Sequence, residues 1–386
     1  MELSERDLEE LRAAAEHLDR LLLPGQVEER VARRPVHTAY VPADRLGAGT
    51  VEDWGGAARD AVRDHGPPAG FPESTMDMVL AKLAAEPIED LRADFEDGYG
   101  HSATEDQDAL SAGQVLRTNA PPFFGLRCKS LEPATVDRAA RTLDAFLTGL
   151  GPPPPGFVIT FPKATSAAHA DVAVLLCRQL EHAHGLPDGA LRFELQVETP
   201  QAVLGPDGRS PLPEMIVRSH GRLSGFHYGT YDYSTALGIA PDHQSLDHPV
   251  ADHAKSVMQV AVAGTGVHVS DGSSNVLPVG STEEVHAAWD LHARLVRRSL
   301  ERGIHQGWDL HPAQLVTRFA ATFQFYLDGL PRARRRLDDY LSRRASGILD
   351  EPATARAIAR FLLRGLHCGA LRPEDLGHPT EDLEAL

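Results

Sequence analysis

Two periodicities divide this chain. Residues 4–23 set Leu8, Leu11, Ala15, Leu18 and Leu22 on one stripe among charged positions, the spacing of an amphipathic helix, and Ser4 can cap its start. From residue 36 the pattern changes to short apolar runs that end in polar residues. The runs are 36–41, 88–95, 124–128, 157–161, 191–197, 225–228, 266–269 and 306–310. Amphipathic stretches fall between them: 137–150 with Ala140, Leu143 and Leu147, 171–180 with Val172, Leu175 and Leu176, and 282–302 with Val285, Trp289, His292 and Leu295. Eight strands, each followed by a helix or a long loop, predict an α/β chain folded as a (β/α)8 TIM barrel. An open doubly wound sheet is the alternative, but no GxGxxG follows an early strand. From about residue 313 the chain reads as helical and Arg-rich, with a further helix over 353–366. The expected organisation is an N-terminal helical segment over 1–35, the barrel over 36–320 and a helical C-terminal extension over 321–386 that serves as a lid or an oligomer contact.

The run at 191–197 shows the theme most clearly. Phe193, Leu195 and Val197 alternate with Arg192, Glu194 and Gln196, Glu198 arrives where the strand should stop, and Thr199-Pro200 opens the next segment. A carboxylate at the C-terminal end of a barrel strand lies on the face where such folds do chemistry. Other strand ends carry Glu96 and Asp97, Arg127, Lys163, Asp232, Asp271 and His311.

Composition narrows the partners. The 386 residues hold 42% hydrophobic and 24% charged positions, which suits a globular protein, and the net charge of −17 argues against nucleic acid or an anionic membrane as partner. Cys128, Cys177 and Cys368 are widely spaced and form no CxxC pair, as in a reducing cytoplasm. The charged start, Met-Glu-Leu-Ser-Glu-Arg-Asp, does not read as a signal peptide, and no apolar run is long enough to span a membrane, so a cytoplasmic location is expected.

Glu198 and Asp232 end consecutive strands, where two carboxylates repel unless a cation lies between them. Oxygen ligands with retained waters suit Mg²⁺, with Mn²⁺ as a substitute, and a bidentate 2-oxo acid could complete the shell. Arg127 could hold a substrate carboxylate or a developing oxyanion. Lys163 could form a Schiff base, but beside a metal pair a charge-balancing role is expected. Asp271 reads as a turn residue before Gly272, and His311 as the anchor of the last barrel helix. Arg33, Arg34 and Arg45 flank the first strand and could meet CoA phosphates, although solvent exposure is the expectation for such residues. His243, His248 and His253, five apart, do not share a helix face and do not read as a zinc site.

Asp94-Phe-Glu-Asp97, Leu126-Arg-Cys-Lys129, Phe161-Pro-Lys163, Gln196-Val-Glu-Thr199, Gly229-Thr-Tyr-Asp232 and Leu310-His-Pro-Ala-Gln314 occur in this order along the chain. From about residue 36 to about 320 the chain thereby resembles the HpcH/HpaI aldolase and citrate lyase β-subunit superfamily, and its Tyr-Asp-Tyr element resembles the malate synthase relatives. The resemblance implies a barrel with Mg²⁺ on Glu198 and Asp232, Arg127 at the substrate, and Glu96 and Asp97 ordering the site and its metal waters. Arg45, Lys163 and His311 complete the set expected to contact ligand. It also implies a homo-oligomer, and an acid/base Asp drawn from the C-terminal region, for which Asp338, Asp339 and Asp350 qualify by region alone. The 205–224 segment is longer than in compact citrate lyase relatives, and Phe226-His-Tyr-Gly-Thr-Tyr is more aromatic. The function expected is a carbon–carbon lyase working through a metal-stabilised enolate on a 2-oxo acid or a malyl-CoA or citramalyl-CoA type substrate. The alternatives are a CoA-independent class II aldolase of 4-hydroxy-2-oxo acids and a catalytically silent barrel that binds a carboxylic acid.

Overall fold

The computed structural model describes residues 32–342 and 351–386, together with Arg6, Glu9 and Arg12. The helix expected over 4–23 lies outside the described residues apart from those three, as does Asp350. Eight parallel strands form one sheet: β1 (His37–Pro42), β2 (Asp90–Asp94), β3 (Phe123–Arg127), β4 (Phe157–Phe161), β5 (Phe193–Val197), β6 (Leu223–Tyr228), β7 (His268–Ser270) and β8 (Gly307–Asp309). Their order is β7-β6-β5-β4-β3-β2-β1-β8. The two ends meet through a Ser270–Gln306 bridge, with Asp271 N donating to Gln306 O at 2.8 Å and Trp308 N to Gly272 O at 3.1 Å. The sheet therefore closes into the expected (β/α)8 barrel.

Successive side chains on a strand point to opposite faces, and here both faces are buried. Leu91 and Ala93, Phe124 and Leu126, Ile159 and Phe161, and Phe193, Leu195 and Val197 pack outward under the helices. The inward positions are polar. Arg92 donates from Nε to Thr160 Oγ1 at 3.1 Å and from Nη2 to Glu194 Oε2 at 3.1 Å, and its Nη1 meets Asp90. Thr38 Oγ1 donates to Asp90 at 2.8 Å and accepts from Gln306 Nε2 at 2.9 Å. Trp308 Nε1 donates across the barrel to His227 Nδ1 at 2.9 Å. Strands β1, β2, β4 and β5, together with Gln306 at the foot of β8, are thus joined inside as well as along their edges.

Helices cover the barrel, including four that apolar periodicity does not predict: Thr50–His65, Glu73–Ala85, Glu105–Asn119 and Pro249–Val262. The physical reason is clearest for Glu105–Asn119, which buries mainly small residues, Ala109, Ala112 and Gly113, with Leu116. It crosses Val136–Leu150 where Gly113 and Gly149 let the backbones touch; a Cβ on Gly113 would stand 2.2 Å from Phe146 O. Large side chains carry the periodic signal, so a helix packed through glycine and alanine is nearly silent.

The last barrel helix, Gln314–Leu341, has 28 residues and leaves the C-terminal mouth of the barrel towards its N-terminal pole. It runs past that pole, and the helix Pro352–His367 packs back against it. Arg364 on that second helix donates to His305 Nε2, just ahead of β8, at 2.7 Å. The described part of the extension therefore floors its own barrel and does not roof the mouth.

Two glycines separate packing from propensity. Gly56, in the helix Thr50–His65, has open space where a Cβ would stand, so Gly56→Ala is expected to stabilise by about 0.5–1 kcal/mol. Gly113→Ala gains the same helix propensity but forces two helix backbones apart, a cost of about 1–3 kcal/mol, so it is expected to destabilise. Urea denaturation of both variants checks the opposite signs.

Candidate active site

The site sits at the mouth, where strand direction gathers residues from five strand ends. β2 delivers Asp94 and Glu96. Asp94 accepts both Nε and Nη2 of Arg127 at 2.7 and 2.8 Å, and the backbone N–H groups of Glu96 and Gly98 at 3.1 Å each. Burial alone would raise its pKa, but the guanidinium and these four donors outweigh that and hold it low. Arg127, at the end of β3, is buried and stacks over Tyr40 at 4.8 Å, with Trp308 at 6.0 Å. Its fork is committed to Asp94, and Nη1 faces Glu96 Oε2 at 3.1 Å. The arrangement leaves one edge of the guanidinium towards the site and fixes its direction.

Lys163 follows β4 with a left-handed backbone, φ 56°, a conformation that costs a non-glycine residue about 1–2 kcal/mol. There its own N–H donates to Glu198 Oε1 at 2.6 Å while its ammonium reaches Glu96 Oε1 at 2.6 Å and Asp232 Oδ2 at 3.1 Å. Burial would lower the Lys163 pKa, but Glu96 and the other carboxylates raise it. Glu198, just past β5, is buried against Gly229, where a Cβ would stand 2.6 Å from its Oε2. Burial, and then Glu96, push its pKa up to about 7, despite Arg127 and Lys163. Glu96 is raised as well, chiefly by burial. Three carboxylates thus share one ammonium and one edge of a guanidinium.

The remaining expected residues are placed as follows. Asp232 is exposed in the first turn of the helix Thr230–Ala236. Asp97 is largely exposed, 3.8 Å from the Lys163 ammonium. Arg45 is exposed on the single turn Ala43–Arg45 after β1, at the rim. His311 accepts from Ala313 N at 3.2 Å at the start of the last barrel helix, and burial lowers its pKa. Asp271 is more than a turn residue: buried, it pairs with Lys255 Nζ at 2.9 Å and also accepts Gly272 N. Arg33 and Arg34 are not simply solvated and do not reach the mouth, because residues ahead of a barrel strand lie at the N-terminal pole. Arg33 pairs there with Glu86 at 2.7 Å and Arg34 donates to Gly266 O at 3.1 Å. Asp338 and Asp339 lie near the far end of the last barrel helix, where Asp338 meets His378 Nε2 at 2.8 Å. At 1.5 Å per residue this is roughly 36 Å from the helix start, so neither reaches the mouth of its own chain.

Some residues that build the site escape a reading of strand ends. Asp94, Tyr40 and Trp308 aim Arg127, and a deeper group lies below them. Glu194, His227 and His268 each bring a ligand atom within 4.8 Å of the others, a spacing consistent with a divalent cation, and they are the one such group of three among the described residues. Its donor set, one carboxylate and two imidazoles, suits a borderline cation better than Mg²⁺. Trp308 N–H can only donate, so His227 Nδ1 accepts and the proton stands on Nε2, 3.2 Å from Glu194 Oε2. A cation there requires His227 to give up Trp308, and Arg92 already holds Glu194. The mouth offers a carboxylate set that is short of positive charge. That set fits a hard, oxygen-bound cation once the Lys163 ammonium withdraws. The sequence signal for the deeper group is parity: Glu194, Gln196 and Glu198 share one side of the strand.

A family model described as "Domain of unknown function (DUF6986)" matches residues 12–386. Comparison with curated proteins gives no match. The fold is similar to that of a citrate lyase from Burkholderia xenovorans LB400, at 19% identity and TM-score 0.63 over 90% of this chain and 96% of that one. It is similar also to CitE from Mycobacterium tuberculosis in complex with magnesium, acetoacetate and coenzyme A, at 19% identity and TM-score 0.53 over 88% and 99%. A third is Haloferax volcanii malate synthase in a magnesium/glyoxylate complex, at 14% identity and TM-score 0.53 over 91% and 97%. At these identities the likeness establishes the fold.

The Glu198 pKa gives the site a stability signature. The group is raised from 4.5 to about 7, so between those values the folded chain holds a proton that the unfolded chain releases. Its favourable contribution is complete below the unfolded pKa and is lost as pH rises through about 7, an effect of about 3 kcal/mol. With EDTA present, the fall in unfolding free energy between pH 5 and pH 8 should be smaller in Glu198→Gln than in the parent by about this amount. Equal slopes in urea melts of the two proteins would remove the assignment.

Proposed function

The chain belongs to the DUF6986 family, and we propose that it is a Mg²⁺-dependent carbon–carbon lyase acting through an enolate on a 2-oxo acid or a β-hydroxyacyl-CoA of the malyl-CoA or citramalyl-CoA type. The observation that carries this reading is the charge imbalance at the mouth. Glu96, Glu198 and Asp232 surround a single ammonium, and burial, then the neighbouring Glu96, push the Glu198 pKa up to about 7. Glu198 and Asp232, with Glu96 beside them, would hold Mg²⁺, or Mn²⁺ in its place. Such an ion supplies Lewis-acid stabilisation of an enolate oxygen.

In this reading the chain's own groups divide the remaining work. Arg127, unable to turn because Asp94 holds two of its donors, presents Nη1 to a substrate carboxylate or oxyanion, so little reorganisation accompanies the reaction. Lys163 moves its ammonium from the carboxylates to a carboxylate of the substrate, which keeps the local charge balanced. Asp97, exposed beside it, orders water at the entrance. Arg45 and His311 stand at the rim, where the phosphates of a CoA thioester would pass. The similar folds support the reading through their bound groups: magnesium with acetoacetate and coenzyme A in one, and pyruvate with acetyl-CoA in another malate synthase structure. Any acid or base drawn from the Asp338 region has to come from a second copy of the chain, in a homo-oligomer.

Proton NMR in D₂O tests the chemistry. With Mg²⁺ and acetyl-CoA the methyl signal is expected to wash out, to stop on adding excess EDTA, and to slow at least about 100-fold in Glu198→Gln or Asp232→Asn. Washout of pyruvate methyl without CoA would instead assign a CoA-independent aldolase. Isothermal titration with Mg²⁺ supplies the independent reading: unchanged affinity in both variants would remove the metal assignment.

A further inference from the structure

Inside the barrel, one layer below the mouth, Glu194 of β5, His227 of β6 and His268 of β7 converge from three neighbouring strands. Arg92 Nη2 and Thr160 Oγ1 hold Glu194 through its Oε2, at 3.1 and 3.3 Å. Its Oε1 is turned to His268 Nε2, 3.8 Å away, and His227 Nε2 stands 3.2 Å from Oε2. The Nε2 atoms of both histidines are buried, and neither closes a hydrogen bond among the described residues. Buried polar atoms are nearly always paired, so two orphans aimed at one carboxylate call for a group between them. The place of the His268 ring is built into the sheet. A Cβ on Gly225 of β6 would stand 2.6 Å from its Nε2, so glycine is what lets the ring lie there. His268 also lines a cavity of about 240 Å³ at the N-terminal pole, which gives a small ion a way in that avoids the mouth.

One carboxylate and two imidazoles are a ligand set for borderline divalent cations. We propose that Glu194 Oε1, His227 and His268 form a second metal site, which takes a cation of the Zn²⁺ or Co²⁺ type. Ligand atoms lie about 2.0–2.2 Å from such an ion, and so up to about 4 Å from one another. The three atoms here all lie within 4.8 Å, so they have to draw together by about 1 Å or less. The cost of occupancy is a hydrogen bond. His227 offers the Nε2 lone pair only by moving its proton to Nδ1, which then no longer accepts the Trp308 N–H that now lies 2.9 Å away. Trp308 packs against Tyr40 at 4.8 Å and flanks Arg127 at 6.0 Å. Filling the site therefore frees a side chain that helps to aim Arg127, which couples the interior ion to the mouth. The site is separate from the carboxylates of the mouth and does not depend on the reaction proposed there.

The test titrates Co²⁺ into the full chain with excess Mg²⁺ present. Saturable binding with visible d–d absorption is expected. Zn²⁺ should displace the Co²⁺ and change the tryptophan fluorescence. Affinity for Co²⁺ should fall at least about tenfold in His227→Gln and in His268→Gln, and be retained in Glu198→Gln. In Trp308→Phe the fluorescence change should be lost while Co²⁺ binds about two- to tenfold tighter, because no hydrogen bond has to be given up. Circular dichroism establishes which variants are folded, and using two histidine variants guards against one failing. The absence of saturable Co²⁺ binding in the parent, or unchanged affinity in either folded histidine variant, overturns the site. Loss of binding in Glu198→Gln would place the ion at the mouth and overturn it as well.

Discussion

A guanidinium without access to water stands in the middle of this barrel, and much of the architecture follows from it. Arg92 is buried among Asp90, Thr160 and Glu194, which come from three strands. An uncompensated charge in such a place costs several kcal/mol, so the register that brings the partners together is enforced by electrostatics as well as by the outer apolar layer. The rule repeats one layer up, where Arg127 is fixed by Asp94 and flanked by Tyr40 and Trp308. The mouth is the layer in which the rule is no longer met, since carboxylates there outnumber the cations that face them. Chemistry is expected where a compensated interior gives way to an uncompensated edge.

How legible this was in the sequence depends on which residues carried the signal. Eight strands could be read because each pairs an outward apolar series, such as Phe193, Leu195 and Val197, with a polar stop. Glu198, Lys163 and Arg127 stood out because they are those stops. Arg92 and Glu194 did not, because a charge in mid-strand looks the same whether it faces solvent or a sealed interior, and only closure of the sheet decides. Asp94 lay inside a segment already of interest, yet its bond to Arg127 joins positions 33 apart. The helix Glu105–Asn119 was missed because glycine and alanine make close contacts without adding hydrophobic weight.

Chain direction explains the other differences. Residues that precede a barrel strand and residues that follow it belong to opposite poles, however close they lie in sequence. Arg34 and Arg45 bracket β1 and are separated by its length, one at the floor and the other on the rim. The extension obeys the same geometry. A helix that leaves the mouth and runs beyond the full height of the barrel delivers whatever follows it to the floor, which is why Asp338 and Arg364 are found far from Glu198.

If the mouth binds a metal as proposed, the position of Lys163 would separate two events that metalloproteins often fuse. Where ligands are held together only by their ion, the apoprotein is unfinished and chelation unravels it. Here a tethered side chain already neutralises part of the cluster, so the proposed metal role would not require the ion for the ligands to be brought together. An ion bound as proposed would have to compete with an ammonium that is never diluted away. Occupancy would follow the free ion concentration reversibly, in the manner of a buffered equilibrium and not of a permanent structural ion.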